Sequence, residues 1–513
     1  MPESLRFVSP DSIITGWDFS TSGVKCLAFD VDGNVIADVR LTTDLWTDGG
    51  VSELNLSQLE GQARGTVRAM ASKLRDLGRL GHWVAGGISA THHTNGRIDA
   101  FRNQVRRAIC WNDQSLAEFH AIGLKRLGGQ KKVRELIGGP WAVRYSLSHL
   151  VKDETHLAEN DWNRTFRCLS HGSLAAGYLT GNFDSCSISS AASTGIMDLR
   201  TGKWRQEMLN AIASETYRLQ AWNQLPTIVD QFQPVGPLSD SLRQEAGLGS
   251  VAPIVFPTSD DQQAGLVGGG AVDAGQMAII LGTSAVVNSS SNQPPSTDSL
   301  DAMKLNWGPY LWMRCYTNGA SLINHIVGSN PDWAGLEEKA RACSPGCDGA
   351  VLMPFLYSEP SVGITKKTFG WEGAAPREPG RKFRAALEAL AYLIALGVRQ
   401  HEKAGQAISR ITVSGGIARN RLMCEILASV LDRPLELLRS DEGPALGAAV
   451  TALAGLETHR RRESRDKKPY SVGDAVAQMV KFREPVQPIA EWRAAYAKGL
   501  KAFEKLVKGA AGK

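Results

Sequence analysis

Two strand–turn–strand units, about 260 residues apart, constrain this 513-residue chain more than any other feature. The first runs Ile13-Ile14-Thr15-Gly16-Trp17-Asp18, then the turn formers Phe19-Ser20-Thr21-Ser22-Gly23, then Val24-Lys25-Cys26-Leu27-Ala28-Phe29-Asp30. Asp32-Gly33, a strong hairpin signal, leads into Asn34-Val35-Ile36-Ala37-Asp38-Val39. The second unit is Met277-Ala278-Ile279-Ile280-Leu281, Gly282-Thr283-Ser284, Ala285-Val286-Val287. Its Gly-Thr-Ser turn is like the earlier Ser-Thr-Ser. The pair predicts an internal duplication: two related domains, each opening on a strand meander. Chance similarity of two short turns is the alternative.

Between and after these units the pattern alternates. Spacing predicts a helix over 58–80 and a strand over Val84–Ser89. A third unit is the strand Ile411–Ser414, the turn Gly415-Gly416-Ile417-Ala418-Arg419-Asn420, and a helix carrying Leu422, Ile426, Val430 and Leu431 on one face. Glu442-Gly443-Pro444 then introduces the small-residue helix Ala445-Leu446-Gly447-Ala448-Ala449. The Pro- and Gly-rich stretch 226–257 is the expected junction, which gives an α/β chain of two domains, 1–256 and 257–513. The net charge of +5 is small for this length and argues against a nucleic-acid partner. The basic run His459–Arg462 reads as solvated helix surface. Eight cysteines are scattered without a second pair spaced to complete a zinc site. Neither a secretory leader nor an apolar run of ~18 residues is recognisable, so a reduced, cytoplasmic chain with no membrane role is expected. A homodimer stays open.

Several nucleotide motifs are missing. Gly202-Lys203 is followed by Trp204, which excludes a P-loop there, and Gly268-Gly269-Gly270 lacks dinucleotide-fold spacing. What remains suits phosphate. Ser20-Thr21-Ser22 and Gly282-Thr283-Ser284 offer hydroxyls and backbone N–H groups in tight turns. Asp18, at the end of its strand, is placed to meet a hydrated magnesium ion. Gly415-Gly416 is expected to open a helix where bare backbone can approach a nucleotide. Taken singly, each has a plain structural reading as a turn.

Taken in order, with Trp111-Asn112-Asp113-Gln114 and Asp261-Gln262-Gln263-Ala264, these segments resemble the FGGY carbohydrate kinases, and xylulokinases among them. The resemblance runs from about residue 13 to 455. It implies two actin-like (ribonuclease H-like) domains around an interdomain cleft, and ATP-dependent phosphorylation of a small sugar with Mg²⁺ as cofactor. The position of the general base falls on Asp261. Phosphate and nucleotide contacts fall on Ser20, Thr21, Ser22, Gly282, Thr283, Ser284, Gly415, Gly416 and Asn420. Sugar contacts fall on Thr91, His92, His93, Trp111, Asn112, Asp113 and Gln262, and metal binding on Asp18. Lys25 is expected on the following strand rather than on a phosphate.

The chain departs from the family pattern where the sugar is read. The Q-M-H-G loop is Thr91-His92-His93-Thr94, and the G-E-R-x-P loop survives only as Tyr357-Ser358-Glu359-Pro360. Ser20 stands for a Gly in the first turn, Ile417 for the third Gly of the nucleotide turn, and Asp260 for the Gly before the base. Two adjacent carboxylates that both faced the cleft would raise one pKa; on a strand they would face apart. The expected acceptor is a pentulose such as D-xylulose. The alternatives are another ketose, a sugar acid or a polyol (ribulose, gluconate, glycerol, erythritol), and, from another class, a catalytically silent sugar- or nucleotide-binding protein.

Overall fold

The computed structural model describes residues 2–297, 299–328 and 330–512. Its first sheet opens on β1 (Ile13–Phe19), β2 (Gly23–Asp30) and β3 (Val35–Thr42), an antiparallel meander. β1 is buried along nearly its whole length, as its apolar run requires. Beside it lies β4 (Trp83–Ala90), parallel to β1. Three two-residue strands complete the sheet: β5 (Gly236–Pro237), β6 (Ile254–Val255) and β7 (Ser259–Asp260). The order is β5-β6-β4-β1-β2-β3, with β7 also paired to β4. Helix α1 (Leu56–Asp76), capped by Asn55, packs its buried stripe into this half's core. It stops short of the expected Leu80 because Gly78 takes φ +67°, a conformation that ends helices.

The chain leaves this sheet through α2 (Asp261–Gly268) and enters the second at β8 (Gln276–Leu281). The expected junction at 256/257 thus falls among the last strands of the first sheet. β9 (Ala285–Ser291), β10 (Asp301–Lys304) and β11 (Tyr310–Tyr316) extend the meander, and β12 (Arg410–Ser414) and β13 (Glu436–Leu437) add the parallel strands. The order is β10-β11-β9-β8-β12-β13. Set side by side, β3-β2-β1-β4-β6 and β11-β9-β8-β12-β13 follow one plan: a meander whose first strand then takes parallel neighbours. The duplication expected from two three-residue turns is therefore present in the fold, as two actin-like domains. Helices α3 (Trp333–Arg341), α4 (Pro379–Lys403) and α5 (Arg421–Leu431) cover the second sheet.

Helix α6 (Gly443–Glu463) belongs to the second half in sequence but packs on β1, β4 and α2. Only glycine permits that approach. A Cβ on Gly16 would stand 1.8 Å from the Ala445 carbonyl oxygen, one on Gly87 2.0 Å from that of Ala448, and one on Gly447 1.9 Å from that of Ala264. The crossing of α2 and α6 is the waist between the domains. Among the described residues no helix is long and apolar enough to cross a membrane.

Candidate active site

The second hairpin turn forms one rim of a cavity of about 690 Å³. Gly282, Thr283, Gly416 and Asn420 line it, with an apolar floor that includes Ile323, Phe383 and Leu387. Gly282 N–H donates to the Ser284 carbonyl at 3.0 Å, and the Gly282 carbonyl accepts from Ala320 N–H at 2.9 Å, which locks the turn. The first turn is closed the same way, Ser20 N–H donating to the Gly23 carbonyl at 2.9 Å, with Ser20 Oγ 2.8 Å from the same oxygen. Gly415 takes φ +96°, and a Cβ there would meet the Leu281 carbonyl oxygen at 2.4 Å, so its glycine serves the fold. Gly416 has nothing within 4 Å and leaves room for a ligand. Volume, apolar floor and bare backbone suit a nucleotide.

At the other side of the waist, Asp260 ends β7 and Asp261 begins α2. The chain turns from strand to helix between them, so both carboxylates meet the same neighbour, His92. His92 N–H donates to Asp261 Oδ1 at 3.3 Å, and His92 Nδ1 lies 3.8 Å from Asp260 Oδ1. Asp261 is pushed up to about 7, first by burial, then by Asp260 and Asp18. Asp18 pairs in register with Ser89, whose hydroxyl donates to Asp18 Oδ1 at 3.0 Å. Burial raises Asp18 as well.

The loop after β4 is tied down at Thr91, whose N–H and Oγ1 both donate to the Phe19 carbonyl, at 2.9 and 3.1 Å. His93 takes φ +60° and stacks between His92 (centroids 3.7 Å) and Tyr145 (4.6 Å). Burial lowers the pKa of both imidazoles, His93 well below the usual histidine range, and keeps them neutral. Both ring nitrogens of His92, Nε2 of His93, the Tyr145 hydroxyl and Asp260 Oδ2 are buried without a hydrogen-bond partner. Such a set of unsatisfied donors and acceptors is costly unless a polyhydroxylated ligand completes it.

Models of the N-terminal and C-terminal domains of the FGGY family of carbohydrate kinases match residues 13–268 and 277–456. The chain belongs to that family. A xylulose kinase of Escherichia coli strain K12 is 27% identical over 85% of this chain and 89% of its own. An L-fuculokinase of Escherichia coli O157:H7 is 28% identical over 86% and 92%. Among solved structures, a gluconate kinase from Lactobacillus acidophilus superposes with a TM-score of 0.84 at 17% identity, covering 98% of this chain and 99% of that one. This FGGY kinase is therefore an ATP-dependent sugar phosphotransferase.

Some residues of the kinase stand elsewhere than the sequence suggested. Trp111 is 47% exposed and Asn112 is exposed beside it, in the turn that follows Cys110. Asp113 is buried, with its carboxylate accepting from Ser115 N–H at 2.8 Å and Ser52 N–H at 3.3 Å. Among the described residues no hydrogen bond or ring contact joins these three to the histidine stack. Asn420 lines the 690 Å³ cavity, but its Oδ1 caps α5 through Met423 N–H (2.8 Å) and its Nδ2 donates to Glu337 (2.7 Å). Gly415-Gly416 does not open α5: a short 3₁₀ turn, Gly416–Arg419, intervenes, and the helix starts after Asn420. Gln262 Oε1 accepts from Asn288 on β9 at 3.2 Å. Lys25 sits on β2 as expected, paired with Glu442 at 3.1 Å. One contributor, Tyr145, carried no usable signal in sequence, and a second, Glu359, stood out there only as a remnant of the G-E-R-x-P loop. Tyr145 is a lone aromatic, and Glu359 acts only through folding: it accepts from Thr317 N–H (2.7 Å) and Asn318 Nδ2 (3.1 Å), fixing the loop against the Gly282-Thr283 turn.

Proposed function

We propose that this kinase transfers the γ-phosphoryl group of ATP to a pentulose such as D-xylulose, with Asp261 as general base. The observation that carries the reading is where Asp261 stands. It reaches the unsatisfied ring stack through His92 at 3.3 Å, and its neighbour Gln262 accepts from Asn288 at 3.2 Å on β9, the strand that leaves the second phosphate turn. Asp261 takes the acceptor hydroxyl's proton as that oxygen bonds to the γ-phosphorus and the bond to ADP breaks. Thr91, His92, His93 and Gln262 orient the sugar. Gly282, Thr283, Ser284 and Gly416 hold the nucleotide, with Ser20, Thr21 and Ser22 facing the phosphates from the first domain.

A magnesium ion fits the donor set. Asp18 offers a hard carboxylate whose burial leaves its charge poorly solvated, with one oxygen bonded to Ser89. Asp18 would hold the ion together with phosphate oxygens and water. When bound, magnesium supplies charge neutralisation on the phosphates. A hexulose acceptor is the second reading, favoured by the L-fuculokinase relative. A screen of ADP release over pentuloses, hexuloses, polyols and aldonates tests both. Stimulation by one acceptor, lost in Asp261→Asn while ATP still binds, is expected. ATP turnover indifferent to every acceptor and to that substitution overturns the reading.

A further inference from the structure

Between β13 and α6 the chain returns from the second sheet to the first, and two adjacent carboxylates part there. Asp441 reaches into the second half. Its Oδ2 accepts from Arg419 twice, from Nε at 3.0 Å and from Nη2 at 2.7 Å. Arg419 ends the 3₁₀ turn that begins at Gly416, and both residues line the 690 Å³ cavity. Glu442 reaches into the first half. It stands at the N-cap of α6, yet its side chain does not cap that helix. Oε2 accepts from Lys25 Nζ at 3.1 Å and Oε1 from Arg40 Nη2 at 2.6 Å. Lys25 and Arg40 are register partners on β2 and β3, and β2 is the strand that leaves the Ser20-Thr21-Ser22 turn.

The helix does not need these pairs to stay on the first sheet. Glycines at 16, 87 and 447 already let α6 pack at backbone distance. The five side chains are between 21% and 67% exposed, and ion pairs so exposed add little to stability. What they fix is relative position. Neighbouring Cα atoms stand about 3.8 Å apart across a trans peptide. The nucleotide wall and the strands of the first turn are thus tied to adjacent points of one rigid unit, and neither slides past the other without breaking a pair.

We propose that Asp441 and Glu442 are positioning residues that set the two phosphate turns against each other across the cleft, an inference that rests on the nucleotide occupying the 690 Å³ cavity with its phosphates between those turns. Asp441 holds the wall on which the nucleotide lies. Glu442 holds the two strands behind the first turn. Transfer from a nucleotide on one half to an acceptor on the other depends on this register, because a misplacement of about 1 Å costs up to ~10²-fold in rate.

The test uses Glu442→Gln and Asp441→Asn, singly and together, with the acceptor that releases ADP fastest. Each single variant should lower kcat by roughly 5–20-fold, with a melting temperature within about 2 °C of the wild type. In Glu442→Gln the KM for ATP should stay within about twofold, since Glu442 faces the first half rather than the cavity. The double variant should be no slower than the slower single one, because either break releases the same constraint. Exchanging the charges, Arg40→Glu with Glu442→Arg, should recover most of the kcat lost in Glu442→Arg alone. Single variants with kcat within about twofold of the wild type overturn the proposal, and so does a double variant whose loss is the product of the two. A slow variant that melts lower by about 5 °C or more overturns it as well, since the pairs then serve the fold. If Gly416→Ala leaves the KM for ATP unchanged, the nucleotide lies elsewhere and the underlying reading has failed. A raised KM in Gly416→Ala with unchanged kcat in Glu442→Gln removes this inference alone.

Discussion

Asp261 shares its end of the cleft with two further carboxylates, Asp260 and Asp18, and with a His92 that burial keeps neutral. A base must be unprotonated to act, so kcat/KM should fall about tenfold per pH unit below about 7 and level off above it. Asp261→Asn should lower kcat by roughly 10²–10⁴-fold with little change in ATP affinity, measured by ADP release and calorimetric titration. The same carboxyl has a consequence for stability. Its folded-state pKa lies above the ordinary 3.8, so its protonated form favours the fold, and that contribution is lost as pH rises through about 7. Asp261→Asn escapes the loss. Its melting temperature should exceed the wild type's by about 1–3 °C at pH 8 and by less at pH 5. Equal melting curves at both values would show that the charge is solvated. At this scale the sequence exposed Asp18, Asp261, His92 and His93 through their order along the chain. The exposure of Trp111 and the hydrogen bonds already held by Asp113 were not legible there, because both are properties of packing.

The two close-packed elements at the waist make a contrast with the nucleotide turn. In Gly447→Ala the new methyl would stand 1.9 Å from the Ala264 carbonyl oxygen, and α2 and α6 would have to part. Overpacking of this kind costs about 1–3 kcal/mol, readable as a lower urea midpoint. Gly416→Ala meets nothing within 4 Å and lacks a left-handed backbone, so its stability should change by less than about 0.5 kcal/mol. Its KM for ATP should nonetheless rise, since the methyl enters the wall of the 690 Å³ cavity. The element borders followed from local chemistry where a local signal existed: Asp32-Gly33 turns β2 into β3, with Gly33 at φ +81°. The start of α5 did not, because Asn420 is a helix cap only once the 3₁₀ turn before it has formed.

On the scale of the molecule, two sheets of one plan meet through the α2–α6 crossing, while Arg144 of the first half pairs with Asp301 of the second. The halves also share an apolar cluster, Met197 and Leu199 packed with Met303 and Trp312, so a closing rotation would pivot about these contacts and the α2–α6 crossing. Sugar and a non-hydrolysable ATP analogue together should shrink the radius of gyration in small-angle scattering, closing the cleft and excluding water as a competing acceptor. A scattering curve unchanged at saturation would count against closure.

The order of short motifs determined the family-like plan, the meanders and the position proposed for the base, because strand periodicity, turn formers and caps act over a few neighbouring residues. Tertiary structure alone decided that α6 returns to the first sheet, that Asp260 and Asp261 meet His92 together, and that Tyr145 completes the ring stack. Those outcomes depend on contacts between residues as far apart as Gly16 and Ala445, and on the desolvation such contacts impose. Neither quantity is written in any local stretch of the chain.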